Sequence, residues 1–173
     1  MSNSRLNDLL NLSHVPRWSI VPHLRPQSVA EHSFRVAAIA LEIAHQLNPP
    51  GLPSSVVITG NILRWAITHD GPEAETGDIP SPIKQYVFKD DAEAKLCPWY
   101  VAEAHGIHEQ ERAVVKIADK IEGVFFLQEW GIGQKSLEAQ VSTRKQIAEH
   151  VEAARSRWGW SELPAIVETI LGT

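Results

Sequence analysis

Cysteine is almost missing from this sequence: Cys97 is the only one among 173 residues. A lone thiol cannot close an intramolecular disulfide, and it excludes a multi-cysteine zinc site. Positive charge is in deficit, with sixteen Lys and Arg against twenty-one Asp and Glu and a formal net charge of −5. That balance excludes broad electrostatic binding to a nucleic acid polymer or an anionic membrane, but not a small cationic pocket. No window approaches the roughly 18 consecutive apolar residues of a membrane span. The opening MSNSRLNDLL has no apolar stretch of the export type. The expectation is a soluble cytoplasmic protein. Two-residue apolar alternation is absent as well, which leaves little room for strands.

What is present is helical periodicity punctuated by Pro and Gly. Apolar residues make up 43% of the chain, enough for a core, and no repeat or low-complexity tract divides it. The expectation is one all-α domain over residues 1–173, with six to eight helices. Leu6, Leu9 and Leu10 mark a short first helix. Ser28-Val-Ala-Glu31 reads as a capping box opening a second helix that ends at Asn48-Pro-Pro-Gly51. Apolar residues around its circumference predict burial on most sides. A third helix is expected over 54–70, stopped by Gly71-Pro72. Others are expected over 83–88, 92–104, 109–130, 136–158 and 163–171.

Four residues stand out by chemistry. His32 lies one turn into the second helix, His69 and Asp70 close the third, and Asp119 interrupts an apolar helix. Two imidazoles and two carboxylates suit one divalent transition metal, such as zinc, cobalt or manganese. Neighbours on a regular helix point about 100° apart, so His69 and Asp70 converge only if the helix opens; Gly71-Pro72 supplies the break. Each residue also has an ordinary reading. A lone His32 suits a core, His-Asp pairs occur by chance, and Lys116 and Lys120 offer Asp119 an ion pair. His105 and His108, flanked by Glu103 and Glu109, mimic metal spacing, but Gly106 argues for a loop there.

Taken in order, His32, His69-Asp70 and Asp119 resemble the HD-domain phosphohydrolases. Arg17-Trp-Ser-Ile20, Ser28-Val-Ala-Glu-His32-Ser33 and the run from His69 to Lys84 are similar to the deoxynucleotide-hydrolysing branch. That branch includes bacterial YfbR-type 5′-deoxynucleotidases and phage dATP triphosphohydrolases. The resemblance spans about residues 5–130; the last forty residues carry none of its motifs. It implies a compact HD-domain helical bundle with one divalent metal, zinc, cobalt or manganese with magnesium as a further candidate, held by His32, His69, Asp70 and Asp119. It implies Glu73 and Asp78 as catalytic acids, and Arg17, Lys84 and Lys116 as phosphate ligands. Trp18 would pack on the sugar and disfavour a 2′-hydroxyl, and Ile20 would wall the base.

The activity so implied is attack of water on the α-phosphorus of a deoxynucleotide. Phosphoryl transfer of this kind needs charge neutralisation and positioning more than covalent help. The Arg17-Trp18-Ser-Ile20 segment leans toward a dATP triphosphohydrolase over a deoxynucleoside monophosphatase. A non-catalytic nucleotide-binding module is the contrasting possibility. A homo-oligomer is implied, a hexamer for the first branch and a dimer for the second, in the host cytoplasm if the chain is phage-encoded.

Overall fold

The computed structural model describes residues 4–48, 57, 59–80, 82, 83, 86 and 95–172. Their order is α1 (Ser4–Asn11), a 3-10 turn (Leu12–His14), α2 (Val29–Leu47), α3 (Thr59–Thr68), α4 (Glu73–Thr76), α5 (Pro98–His105), α6 (Glu109–Trp130), α7 (Gly133–Trp158) and α8 (Leu163–Leu171). Among the described residues there is no strand, only the isolated bridges Pro16–Ser28 and His23–Gly131.

Helix α6 forms the axis, packing against α2, α3 and α7. Its Val114, Ile117, Ala118, Ile121 and Val124 are fully enclosed and meet Val36, Ala40 and Ile43 of α2. Each large aliphatic side chain removed from water there contributes roughly 2 kcal/mol. Helix α8 closes the core with Leu163 and Ile166 against α2 and α7. No helix of the described residues is long and apolar enough to cross a membrane.

Several local expectations are corrected. Ser28 does cap α2, its Oγ accepting from the Glu31 N–H at 3.2 Å, but the Glu31 carboxylate turns to Arg25 instead of closing the box. Helix α2 is buried on most sides as expected, its exposed strip carrying Phe34 at 74% and Leu41 at 42%. The expected helix over 92–104 is broken at Cys97, whose φ of −128° and ψ of 72° are not helical, and Pro98 begins α5. Helix α7 starts at Gly133 rather than Ser136. The start of the third helix at 54, and all of the 83–88 helix except 83 and 86, lie outside the described residues. So does Lys84.

Candidate metal centre

The opening of α3 is what brings His69 and Asp70 to one point. The helix ends at Thr68, whose Oγ1 donates back to the Arg64 carbonyl at 2.8 Å. The chain then leaves through turn bonds, Gly71 N–H to Thr68 O at 2.9 Å and Glu73 N–H to Asp70 O at 3.0 Å. Gly71 fits there because a Cβ would run into the Trp99 ring and crowd the Thr68 carbonyl.

His32, from the first turns of α2, faces this corner, and Asp119 of α6 closes it. His32 Nε2 lies 3.3 Å from Asp119 Oδ1 and 3.5 Å from Asp70 Oδ2. His69 Nε2 lies 3.3 Å from the same Asp70 oxygen. Ligand atoms of His32, His69 and Asp119 all fall within 4.8 Å of one another. Both Nε2 atoms are shut off from water and make no hydrogen bond. Their Nδ1 atoms are engaged: His32 Nδ1–H donates to Glu122 Oε2 at 2.6 Å and His69 Nδ1–H to the Ala66 carbonyl at 2.9 Å. Each Nε2 is thereby the ring atom left facing inward, where it can serve an ion once any proton on it is released. Two such nitrogens facing two carboxylates fit a divalent transition ion.

Asp119 divides its oxygens. Oδ1 faces His32, while Oδ2 takes Lys120 at 3.3 Å and Lys116 at 3.4 Å. Burial opposes its charge, but His32 and the two lysines outweigh burial and hold it well below the usual carboxylate range. The ordinary ion pair and the ligand geometry thus coexist. His69 is pushed down by burial and stays a neutral imidazole.

Beside the metal corner lies a 340 Å³ cavity bordered by Arg17, Trp18, Ile20, Asp78 and Asp119. Trp18 has a φ of 66°, the left-handed region that bulky residues avoid. Three contacts hold it there. Its backbone N–H donates to Asp78 Oδ2 at 3.3 Å, its indole N–H donates to Gln27 Oε1 at 2.8 Å, and its ring stacks on Phe126 at 5.8 Å. Gln27 in turn donates to Glu122 Oε1 at 2.7 Å. An unbroken hydrogen-bonded chain therefore runs from the Trp18 indole through Gln27 and Glu122 to His32.

Residues 6–97 match the family model described as 5′-deoxynucleotidase YfbR-like. A dATP triphosphohydrolase of Salmonella phage PMBT28 is 37% identical over 132 residues, 73% of this chain and 67% of that protein. The chain belongs to the YfbR-like 5′-deoxynucleotidase family. A 5′-deoxynucleotidase of Vibrio parahaemolyticus is 30% identical over 132 residues, 65% of this chain and 67% of that protein. The solved HD phosphohydrolase DatZ of cyanophage S-2L, bound to dA and one catalytic zinc ion, superposes with a TM-score of 0.82 at 27% identity, over 96% of both chains. With that family and that fold, the chain is an HD-domain phosphohydrolase.

Against this YfbR-like frame the expected site residues distribute unevenly. His32, His69, Asp70 and Asp119 meet. Glu73 is buried at the start of α4 and borders the cavity shared by His69, Asp70 and Asp119. Asp78 holds the Trp18 backbone. Ile20 is 39% exposed at the rim of the Trp18 cavity. Arg17 lies over the Trp18 ring, 3.3 Å from Glu122, so part of its charge is already spent inside the protein. His105 and His108 are exposed; His108 instead caps α6, its backbone N–H donating to Glu111 at 2.7 Å. Sequence reasoning missed Glu122 and Gln27, whereas the ion pair of Lys120 with Asp119 is present as expected. For Glu122 a signal existed, since it follows Asp119 by three residues on the same face of an apolar helix. Gln27, in a Pro-rich loop, carried none.

Proposed function

We propose that this phosphohydrolase splits dATP into deoxyadenosine and triphosphate. The observation that carries the reading is that Asp119 is both part of the metal-ligand cluster and part of the wall of the cavity floored by Trp18. A sugar resting on Trp18 then presents its 5′-phosphate to His32, His69, Asp70 and Asp119. The similarity to phage dATP triphosphohydrolases, and the dA seated in the cyanophage neighbour, support the choice of base and phosphate chain.

His32, His69, Asp70 and Asp119 would hold the ion, zinc in the first instance and cobalt, manganese or magnesium as alternatives. Such an ion polarises a phosphate oxygen and acidifies bound water. Glu73 takes or orients the proton of the attacking water. The oxygen–phosphorus bond forms as the bond to O5′ breaks, and O5′ leaves with a proton delivered by Glu73 or Asp78. Arg17 and Lys116 neutralise the phosphate, with Lys84 as a third cation. Trp18, fixed by Asp78, Gln27 and Phe126, blocks a 2′-hydroxyl, and Ile20 borders the base. The enzyme works as a homo-oligomer, a hexamer or dimer, in the host cytoplasm if phage-encoded; light scattering distinguishes the assemblies.

The second reading, hydrolysis of deoxynucleoside monophosphates, is favoured by the family description and the Vibrio relative. A panel of each dNTP and dNMP with zinc, cobalt, manganese or magnesium separates the two. Release of deoxyadenosine from dATP is expected. Turnover of dAMP, dGMP and dTMP alike with dATP left intact rejects the triphosphohydrolase, and nucleotide binding without any turnover favours the non-catalytic module.

A further inference from the structure

A larger cavity, 520 Å³, opens on the other side of Asp119. It begins at His69, Asp70 and Glu73, and neither Trp18 nor Ile20 borders it. Its outer wall comes from α6 and α7. Arg112 and Lys116 stand one turn apart on α6, and His150 and Arg157 two turns apart on α7; all four border the cavity. Each pair shares a helix face, so two packed helices direct four nitrogen-bearing side chains at one space. Beyond Asp70, Glu73 and Asp119, the acid among its described lining residues is Glu109, which Arg157 already engages.

The guanidiniums are held in place. Arg112 donates to the carbonyls of Ala104 and Ile107 and lies 5.2 Å over the Trp65 ring. Arg157 lies 5.3 Å over the Trp158 ring. The aromatic residues are thereby occupied: Trp65 also stacks on Tyr100, and Trp158 packs on Trp160. They act as platforms for cations more than as faces for a base. Fixed, planar, always-charged groups suit phosphate oxygens and lose little freedom on binding.

We propose that this chamber receives the β- and γ-phosphates of a deoxynucleoside triphosphate, and retains inorganic triphosphate after hydrolysis, with Arg112, Lys116, His150 and Arg157 as its phosphate-binding wall. The proposal rests on the deoxynucleotide-hydrolase reading above and adds what separates triphosphates from monophosphates. With a sugar on Trp18 and an α-phosphate at Asp119, which borders both cavities, the rest of the phosphate chain can run away from Trp18 into this space. A monophosphate leaves the chamber unused. His150 enters as a neutral N–H donor, because burial and the nearby Lys116 and Lys120 lower its pKa.

The test titrates the zinc-loaded protein with magnesium tripolyphosphate and, separately, with deoxyadenosine, with zinc content checked afterwards. In the double variant His150→Ala/Arg157→Ala, tripolyphosphate binding and the KM for dATP are expected to weaken at least tenfold, with deoxyadenosine binding unchanged. If that variant fails to fold, Arg157→Glu should lose tripolyphosphate and Arg157→Lys should keep most of it. Equal tripolyphosphate binding by variant and parent overturns the chamber. So does a loss confined to deoxyadenosine, which would make the space a base pocket. A parent protein that turns over dAMP but not dATP, while still binding tripolyphosphate through Arg157, rejects the triphosphohydrolase and keeps the phosphate site.

Discussion

His32 Nδ1 lies 2.6 Å from Glu122 Oε2, and both side chains are completely removed from solvent. The carboxylate is also contacted by Gln27 at 2.7 Å, Arg35 at 2.9 Å and Arg17 at 3.3 Å. Burial alone would raise the pKa of Glu122, but His32 and Arg17 hold it below its ordinary value. It is therefore an anion that orients a metal-facing imidazole from behind. Removing its charge is expected to act on the metal before it acts on the fold.

Glu122→Gln keeps the shape and one acceptor but loses the charge. Outer-shell partners of this kind are worth about 10–100-fold in metal affinity, and zinc affinity measured against a competing chelator is expected to fall within that range. Because Arg17 and Arg35 lose their shared partner, a stability loss on the order of 3 kcal/mol should accompany it in urea unfolding. Unchanged zinc affinity would falsify the positioning role.

Gln27→Leu interrupts the chain between the Trp18 indole and Glu122 without adding bulk. Two buried polar groups lose partners, at about 1–3 kcal/mol each. Trp18 should then relax from its unfavourable backbone conformation. The ratio of kcat/KM for dATP over ATP is expected to drop severalfold, and a ratio held at the parental value would separate Gln27 from sugar selection.

Asp119→Ala removes the residue common to both cavities and to the ligand cluster. Most bound metal and most activity should disappear while the far-ultraviolet dichroism stays helical. Full activity in that variant excludes the ligand set. Chelation of the parent protein should mimic it, lowering Tm through the loss of a ligand that binds only the folded state.

Zinc binding should release a proton from His32. Burial and Arg17 act to lower the His32 pKa, but Asp119 and Glu122 prevail and raise it, so the metal-free protein carries His32 protonated at a pH where His69 is neutral. A raised pKa stabilises the metal-free fold at low pH and loses that contribution as pH rises through it. Zinc must displace that proton, so its affinity weakens as pH falls. Titration calorimetry in buffers of different ionisation enthalpy reads the release directly, and heats independent of buffer would rule it out.

The short-range features of this molecule were legible from the residue order. Helix α6 over Glu109–Trp130 and α8 over Leu163–Leu171 match their expected bounds, because apolar periodicity, Pro and Gly report on contacts within a few residues. The candidate ligand types could be read the same way, and so could a stop near Gly71-Pro72, although α3 ends at Thr68, two residues before the expected Asp70. Where α7 begins was misplaced by three residues, Gly133 against Ser136, as expected where the decision rests on a single turn.

Only the tertiary structure decided what stands behind the ligands and beyond them. Glu122 is 90 residues from His32, 95 from Gln27 and 105 from Arg17. No periodicity along one helix can announce a partner that distant; the pairing exists because α2 and the Pro-rich loop pack on α6. The left-handed Trp18 is sustained by Asp78, 60 residues away. The chamber walled by α7 arises in a stretch that resembles nothing catalytic. Residue order determined which side chains have the chemistry to hold a metal and a phosphate. Packing determined which of them face one another, because buried charges are stable only where the fold supplies their counter-charges and hydrogen bonds.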